Sequence, residues 1–546
     1  MKTRKIALII AGGVSLGSYE SGVLTEFLYA LDTLNKESDS ERFELDVITG
    51  ASAGSLTAAL VARIVMYDLP GRAHHLYRAW VEDINVDRLM RGAPENSLFS
   101  KDIINKIAED YLTGEPFGPT APASFAPENL RLSFTLSNMN GIDYAVPYHI
   151  PPSAPGFVST FFSDYARFAM DAKNLPGYTE WKSISRAAVA SGNFPVAFRP
   201  HEVLRVRENY PGSVQSGQPD YFPRELAFLD GGLFNNEPLR EAMQLASAQD
   251  GGYLDKDRLF ILIDPNINRS FHEEDVTSSF PFRDYLLRLL VMVYGESNAR
   301  DWIRASRWNN QIQWRDDLVK NLFELINDCT LEHPGQIVER LDSMAEQIID
   351  VKRRRFPNRY SGTYLDDSRE KIVRRFSEPY GKLGGGAGGS TDKQEIFWRM
   401  VFILNNAAGV QNKSQTRLGL IGAHANETAG DQMFGFAGFF DEKWRIHDYR
   451  RGRIKAHEIL KVILQVDYDR ETDSGGKELE DYIIPQSWNN FPNVEIKDAN
   501  RDLRERFRDL AVDRVMGLLR DNLPWWTRWP IKKFFVEKKV GEFLKL

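Results

Sequence analysis

Two kinds of hydrophobic pattern alternate over the first half of the chain. Short apolar runs predict buried strands, and longer segments with apolar residues every three or four positions predict amphipathic helices. The predicted strands cover 5–10, 45–49, 130–137 and 258–263. The predicted helices cover 16–34, 52–66, 100–112 and 180–191. Because strands and helices alternate, the pattern predicts a mostly parallel sheet with helices on its faces, in an α/β unit over residues 1–270.

From about residue 280 the pattern becomes helical and more charged. Long amphipathic helices are predicted at 283–308, 337–356, 452–465 and 500–520. A glycine-rich segment at 381–393 is typical of a flexible loop or linker. We therefore expect a mainly helical C-terminal extension over 271–546. The pattern does not decide whether this extension packs on the first unit or folds alone.

Composition narrows the class of protein. The 546 residues are 42% hydrophobic and 27% charged, with a formal net charge of −7, which is ordinary for a soluble globular protein and argues against nucleic acid as a partner. The single cysteine, Cys329, excludes an intrachain disulfide framework and fits a reducing, cytoplasmic compartment. The N-terminal apolar segment is short for a signal peptide and is interpreted as a buried strand. The longest apolar run, 286–294, is broken by Arg288, so we expect no membrane-spanning helix.

The first candidate for chemistry is the stretch TGASAGS at 49–55. It places Ser52 between Gly50 and Gly54, after a predicted strand and before a predicted helix. Gly-x-Ser-x-Gly in this context is the nucleophile-elbow pattern, in which small neighbours permit a sharp turn that exposes the serine hydroxyl. The same residues also fit an ordinary helix N-cap. The strand-to-helix context favours a nucleophile.

A second candidate is the glycine-rich loop at 11–22, directly after the first predicted strand. Gly12, Gly13 and Gly17 allow a tight turn whose amides, with the start of the following helix, can hold an anion. That anion can be a phosphate or the oxyanion of an acyl-transfer intermediate. Ser18 follows Gly17 where a P-loop would need lysine, and the glycine spacing does not match the dinucleotide-binding fingerprint.

A third candidate is LAFLDGGLFNNEPL at 226–239, in which an apolar strand leads to Asp230 and then to Gly231 and Gly232. Asp-Gly is a favoured turn pair, so a surface turn is one interpretation. The other is an aspartate at the carboxyl end of a strand, where ligands gather in open α/β sheets. A nucleophilic serine needs a base, and Asp230 can serve if the fold brings it close to Ser52.

Together these stretches resemble the patatin-like phospholipases. The glycine loop, the Gly-x-Ser-x-Gly elbow and the Asp-Gly-Gly motif occur in the family's order, over about residues 5–265. SRAAVASGNFPVAFRP at 185–200 also resembles a family segment of small residues, and 438–460 is similar to a segment of larger bacterial patatin-related proteins. The resemblance implies a three-layer α/β fold and a serine lipid acyl hydrolase of phospholipase A or lysophospholipase type, acting on lipid acyl esters such as phospholipids without a cofactor.

By position, the resemblance implies a Ser-Asp dyad in place of a Ser-His-Asp triad. Ser52 is then the nucleophile, Asp230 the base, and the backbone amides of Gly12, Gly13 and Val14 the oxyanion hole. The chain departs from the family's loop in two places. Val14 stands where a third glycine is common, and Leu16 stands at a position that is often basic. Backbone donors survive both changes, but a positive charge near the oxyanion is lost.

Two alternatives to the dyad follow from other residues. His272 comes after Asp230 in Ser-Asp-His order, so a histidine triad is one, although its surroundings suggest a solvated loop. The other is an inactive patatin-fold protein that binds or scaffolds at a membrane surface. The tryptophans and lysines of 523–546 suit a membrane interface, and the basic run at 351–356 suits anionic head groups. Peripheral membrane contact is therefore expected beside the cytoplasmic location.

The sequence shows no metal-binding motif. It has neither an HExxH motif nor a cluster of cysteine and histidine at metal-ligand spacing. The acidic residues near 254–257 are weak calcium candidates, and His74 and His75 lie in a helix-like stretch that favours a structural role. We therefore predict no metal and no cofactor.

Overall fold

In the computed structural model, the described part of the chain is interrupted at several places. It comprises residues 2–68, 72–114, 121–146, 157–251, 255, 257–267, 288–289, 292–293, 295–297, 300–355, 364–384, 391–410, 415–424, 427–466, 495–520 and 532–545. The strands are β1 Lys2–Ile10, β2 Glu41–Gly50, β3 Asn129–Val146, β4 Phe157–Asp171, β5 His201–Arg205, β6 Arg224–Asp230, β7 Leu259–Asp264 and β8 Arg417–Gly422.

The helices of the first half surround these strands. They are α1 Gly17–Glu37, α2 Ala53–Tyr67, α3 Arg72–Tyr77, α4 Val86–Met90, α5 Asp102–Ala108, α6 Tyr178–Ser191 and α7 Leu239–Gln249. The helix predicted at 100–112 is shorter than expected, because α5 gives way to a π-helical turn at Glu109–Thr113. The second half is mainly helical. Its helices are α8 Arg300–Asp328, α9 Pro334–Arg355, α10 Tyr364–Arg375, α11 Ser377–Leu383, α12 Thr391–Ala407, α13 Gln432–Gly435, α14 Glu442–Leu464, α15 Arg501–Arg520 and α16 Glu537–Phe543.

Among the described residues, eight strands form one sheet in the order β5-β6-β3-β2-β1-β7-β8, with β4 paired to β3. The central pairs β3–β2, β2–β1, β1–β7 and β7–β8 are parallel. The pairs β3–β4, β3–β6 and β5–β6 are antiparallel. The α/β fold with a mostly parallel central sheet, and the helical C-terminal region, are therefore confirmed.

Strand β1 shows why the sheet is covered on both faces. Ile6, Leu8 and Ile10 contribute to a core with α1 and α2, whereas Ala7 and Ile9 contribute to a second core with α7. Successive side chains of a strand point to opposite faces, and all five are fully buried. A continuous apolar run is therefore what a central parallel strand requires.

The second half of the chain joins this sheet at two places. Strand β8 adds to β7 in parallel, from Leu259 opposite Arg417 to Asp264 opposite Gly422. Helix α14 packs along α1, with the carboxylate of Glu26 buried against Arg453 at 3.5 Å and His457 at 2.9 Å. The extension therefore packs on the first unit in this region. The division of the chain near residue 270 stays a prediction.

Other parts of the extension form a separate helical layer. Helices α8 to α12 enclose their own apolar cluster, which includes Val319, Ala345, Ile372, Phe397 and Val401. The predicted glycine-rich loop at 381–393 falls between α11 and α12, and its residues 385–390 lie outside the described part of the chain. Within the described residues, no helix is both long and apolar enough to cross a membrane.

Candidate functional site

Ser52 stands at the turn between β2 and α2, as the elbow pattern predicted. Its backbone angles are φ 51° and ψ −127°, in the positive-φ range that side chains other than glycine seldom adopt. Such a conformation costs about 1–3 kcal/mol and persists only where the surroundings impose it. A Cβ on Gly50 would lie closer than 3.0 Å to the backbone of Gly54, and one on Gly54 would meet the carbonyl of Ala11. Gly50 and Gly54 are therefore required, because neighbouring backbone atoms lie too close to them for a side chain.

Asp230 lies at the carboxyl end of β6, and its side chain reaches Ser52. The Ser52 hydroxyl donates a hydrogen bond of 2.6 Å to Oδ2 of Asp230. The amide of Gly232 donates to the other carboxylate oxygen at 2.7 Å. Both side chains are buried, Asp230 completely. The fold therefore joins two residues that are 178 positions apart, with the carboxylate fixed at both oxygens.

The backbone around Asp230 is also held. Its amide donates to the carbonyl of Asn193 at 3.0 Å, and its carbonyl accepts the hydroxyl of Ser137 at 2.7 Å. Gly231 lies so close to the backbone of Thr135 that a Cβ there would be closer than 3.0 Å. The Asp-Gly-Gly motif thus lets the turn after β6 pack directly on β3.

The glycine-rich loop lies against the same serine. A Cβ on Gly12 would be 2.8 Å from the Cβ of Ser52, and the Gly12 amide donates to the carbonyl of Asn236 at 3.3 Å. Within the described part of the chain, the amides of Gly13 and Val14 have no hydrogen-bond acceptor. The oxyanion role of Gly12 stays a prediction, and its amide would have to leave Asn236 to fulfil it. Gly17 begins α1 and lies close to the ring of Trp80, where a Cβ would be 2.5 Å from the ring atoms.

Val14 carries the clearest departure from ordinary backbone geometry in this loop. Its φ is 54°, although β-branched residues almost never occupy this region. Glycine would adopt the same conformation without steric cost. The sequence places valine where the resembled family often has glycine, and the structure keeps the backbone conformation that glycine favours.

Three further residues support the site, and sequence reasoning assigned them no role. Ser191, the last residue of α6, accepts the amide of Ser52 at 3.0 Å and bonds the hydroxyl of Ser55 at 2.7 Å. Asn193 binds the Asp230 backbone, and Asn236 binds Gly12. Ser191 and Asn193 lie in the small-residue segment 185–200, and Asn236 follows the Asp-Gly-Gly motif. Their places in these motifs were the only sequence signal for a role at the site. Their contacts could not be predicted, because they depend on the tertiary fold.

Two buried carboxyl groups lie beside the glycine loop. Glu20 is on the first turn of α1, with one oxygen accepting from Thr57 at 3.2 Å, and a Cβ on Gly13 would approach its other oxygen. Asp264 ends β7, where its Oδ1 accepts the amide of Asn266 at 2.8 Å. Burial raises the pKa of Glu20 well above its usual range, and burial raises the pKa of Asp264 to about 6. Both groups therefore favour the protonated form relative to exposed carboxyl groups.

The raised pKa of Asp264 predicts how stability depends on pH. Its folded-state pKa of about 6 lies above the unfolded value, so its stabilising contribution is present at low pH and is lost as pH rises through 6. Asp264→Asn keeps the acceptor oxygen and cannot ionise. We expect the stability of this variant relative to wild type to increase by about 1 kcal/mol between pH 5 and pH 8. Thermal midpoints across this range test the expectation, and a pH-independent difference would refute it.

The remaining candidates from the sequence fall elsewhere. His272 lies outside the described residues. Of the acidic residues near 254–257, Asp255 accepts the amide of Asp257 at 2.9 Å, and Asp257 pairs with Lys2 at 3.0 Å. His75 packs edge-on against Tyr111, with ring centroids 5.6 Å apart. In the described part of the chain, no group of three or more histidine, cysteine, aspartate or glutamate residues is arranged to hold a metal. The first part of the tryptophan- and lysine-rich stretch, residues 523–531, also lies outside the described residues.

The chain is similar in sequence to known proteins over part of its length. Residues 8–243 match the family model described as patatin-like phospholipase. The chain is also similar to the uncharacterised protein y4iI of Sinorhizobium fredii, with 24% identity over 315 residues, covering 43% of this chain and 44% of that protein. The chain thus spans less than half the length of this curated relative, whose name assigns no activity. The match at 8–243 includes Ser52, Asp230 and the glycine loop, so this part of the chain is similar to a patatin-like phospholipase domain.

Proposed function

We propose that this protein is a serine lipid acyl hydrolase in which Ser52 is the nucleophile and Asp230 is the base. The observation that carries the proposal is the 2.6 Å hydrogen bond from the Ser52 hydroxyl to Asp230, made by a serine on a strained turn. A carboxylate in this position can accept the serine proton as the hydroxyl attacks an ester carbonyl. The strained turn supports the assignment, because such outliers cluster at functional sites.

The proposed reaction has two halves. Ser52 attacks the ester carbonyl while its proton passes to Asp230, and Asp230 then protonates the leaving alcohol. A water molecule next gives a proton to Asp230 and attacks the acyl-enzyme, and the returning proton restores the Ser52 hydroxyl. The bond from Gly232 holds one carboxylate oxygen, which leaves Oδ2 directed at the serine for both transfers. No cofactor enters this scheme.

The oxyanion of each tetrahedral intermediate would be bound by backbone amides. Gly13 and Val14 are the best candidates in the loop, because their amides have no acceptor among the described residues. The amide of Ala53, at the first turn of α2, is a third candidate, since the first amides of a helix lack intrahelical acceptors. Donors of this kind typically contribute about 3–4 kcal/mol each in acyl transfer. Because these donors are backbone groups, they are kept although valine stands at position 14 in place of glycine.

The proposed substrates are acyl esters of lipids, with phospholipids or lysophospholipids as the class. The patatin-like domain supports this choice. We further propose a cytoplasmic protein that contacts lipid surfaces peripherally. The tryptophan- and lysine-rich C-terminal stretch is the segment proposed for that contact. Liposome sedimentation of the full chain and of residues 1–522 would test it, and equal binding of anionic vesicles would reject a role for this stretch.

Release of free fatty acid from phospholipid vesicles and from lysophospholipid tests the proposed function. Mass spectrometry is expected to detect fatty acid with wild type and only background release with Ser52→Ala. Ser55→Ala is the matched control, because it makes the same change one helical turn away, at a hydroxyl bonded to Ser191. We expect this control to keep most of the activity. Equal release by wild type and Ser52→Ala would refute Ser52 as the nucleophile.

A further inference from the structure

An apolar cavity of about 50 Å³ opens beside Ser52. Its lining includes Val14, Leu56, Trp80 and Phe194 from the patatin-like domain. Apart from Ser52 and Gly192, the residues of the lining are aliphatic or aromatic. Since the ester carbonyl must reach Ser52, the acyl chain attached to that carbonyl has this apolar space as its neighbour.

One side of the cavity is built by residues far outside the domain match at 8–243. Phe436 and Phe439, which we call the phenylalanine wall, come from the segment between β8 and α14 and line the same cavity as Ser52. The Phe436 ring lies edge-on to Phe194, with centroids 5.5 Å apart, and is 6.0 Å from the ring of Phe439. The C-terminal half therefore supplies part of the candidate acyl site.

The phenylalanine wall is fixed to the glycine loop and to the helices around it. The Gly438 amide donates to the Ser15 hydroxyl at 3.1 Å. Arg445, a buried residue of α14, donates to the carbonyls of Gly438 and Val81 at 2.9 Å each. Gly435 lies close to the carbonyl of Gly13, where a Cβ would be 3.1 Å away. These buried contacts hold the phenylalanine wall in a fixed position beside the glycine loop.

We infer that the phenylalanine wall limits the length of the acyl chain that the site accepts, which makes esters of short acyl chains the preferred substrates. This inference rests on the proposed function and narrows its substrate class. A cavity of about 50 Å³ has room for roughly four water-sized groups, at about 10–15 Å³ each. The part of a long acyl chain that exceeds this space gains no further apolar contact on the side that Phe436 and Phe439 close, so a long chain binds less favourably than a short one. Truncating the wall extends the cavity and admits longer chains.

The test compares p-nitrophenyl butanoate with p-nitrophenyl dodecanoate under identical detergent conditions. For wild type we expect kcat/KM to be at least about tenfold higher with butanoate, since added methylenes that do not fit a pocket cost ~10-fold or more. Phe436→Ala is expected to raise the dodecanoate-to-butanoate ratio by about tenfold or more. Phe436→Leu, a milder truncation that guards against a loss of folding, is expected to shift the ratio in the same direction.

Phe507→Ala is the matched control. Phe507 belongs to the same aromatic cluster, with its ring 5.8 Å from Phe99 and 5.6 Å from Phe440, but it does not line the cavity. The dodecanoate-to-butanoate ratio of Phe507→Ala is expected to match that of wild type. A wild-type enzyme equally active on both esters, or a ratio unchanged in both Phe436 variants, would overturn the inference while leaving the proposed function intact. Absence of turnover of every ester by wild type would overturn the proposed function and this inference with it.

Discussion

Asparagine in place of Asp230 is expected to lower kcat for ester hydrolysis by about 10²–10⁴-fold, the usual contribution of a general base. The amide keeps the size of the side chain and can still accept the bond from Gly232, but it cannot take up the proton of Ser52. We therefore expect the variant to fold normally. Steady-state kinetics with a soluble ester, together with a thermal melt, measures both consequences.

Asp264→Asn is the matched control for this change. Asp264 is also a buried aspartate at the carboxyl end of a strand, and it lies outside the proposed dyad. Its replacement is expected to leave kcat close to wild type at pH 8. An Asp230→Asn enzyme with wild-type kcat would contradict the dyad, because the proton of Ser52 would then have another acceptor.

Alanine in place of Gly22 is expected to destabilise the protein by about 2–3 kcal/mol or more, the cost of forcing a methyl group into a close-packed contact. A Cβ on Gly22 would lie closer than 3.0 Å to the carbonyl of Tyr449, and one on Gly452 would approach the carbonyl of Tyr19 in the same way. The backbones of α1 and α14 therefore touch through two glycines. The added methyl must separate the helices and weaken the buried contacts of Glu26. A lower thermal midpoint than wild type is the expected result.

Gly517→Ala is the matched control, for which we expect stability to rise instead of fall. Gly517 lies in α15, and a Cβ there would have no atom within 4 Å. Alanine in an exposed helix interior is favoured over glycine by about 1 kcal/mol, so this variant is expected to be slightly more stable than wild type. If Gly22→Ala were as stable as Gly517→Ala, the close contact between α1 and α14 would be wrong.

The first half of the fold was predictable because its signals are local. The continuous apolar run of β1 and the helical spacing in α1 each identify an element without reference to the rest of the chain. Strand β4 gave no such signal, because residues 157–163 lie in a hairpin with β3 and are largely exposed on both faces. Strand β8 is a six-residue segment that pairs with β7 across more than 150 intervening residues. Its membership of the sheet depends on tertiary pairing, which no local pattern records.

The candidate site also contains residues that could be predicted from the sequence and residues that could not. Ser52 and Asp230 each stand in a short glycine-containing motif, and the sequence predicted them as partners without being able to give their distance. The structure places their side chains 2.6 Å apart, while their catalytic roles stay a prediction. Phe436 and Phe439 could not be predicted as neighbours of Ser52, because the resemblance at 438–460 does not indicate where this segment lies in the fold. Their position follows from the packing of α14 on α1.

Labelling with a fluorophosphonate probe, followed by peptide mass spectrometry, tests the central claim most directly. The probe forms a covalent bond with an activated serine and releases fluoride, so it reports the nucleophile without assuming a substrate. The account predicts a single modified serine, Ser52, in wild type and strongly reduced labelling in Asp230→Asn. Absence of labelling at Ser52 in a folded wild-type protein, or equal labelling in both proteins, would contradict it.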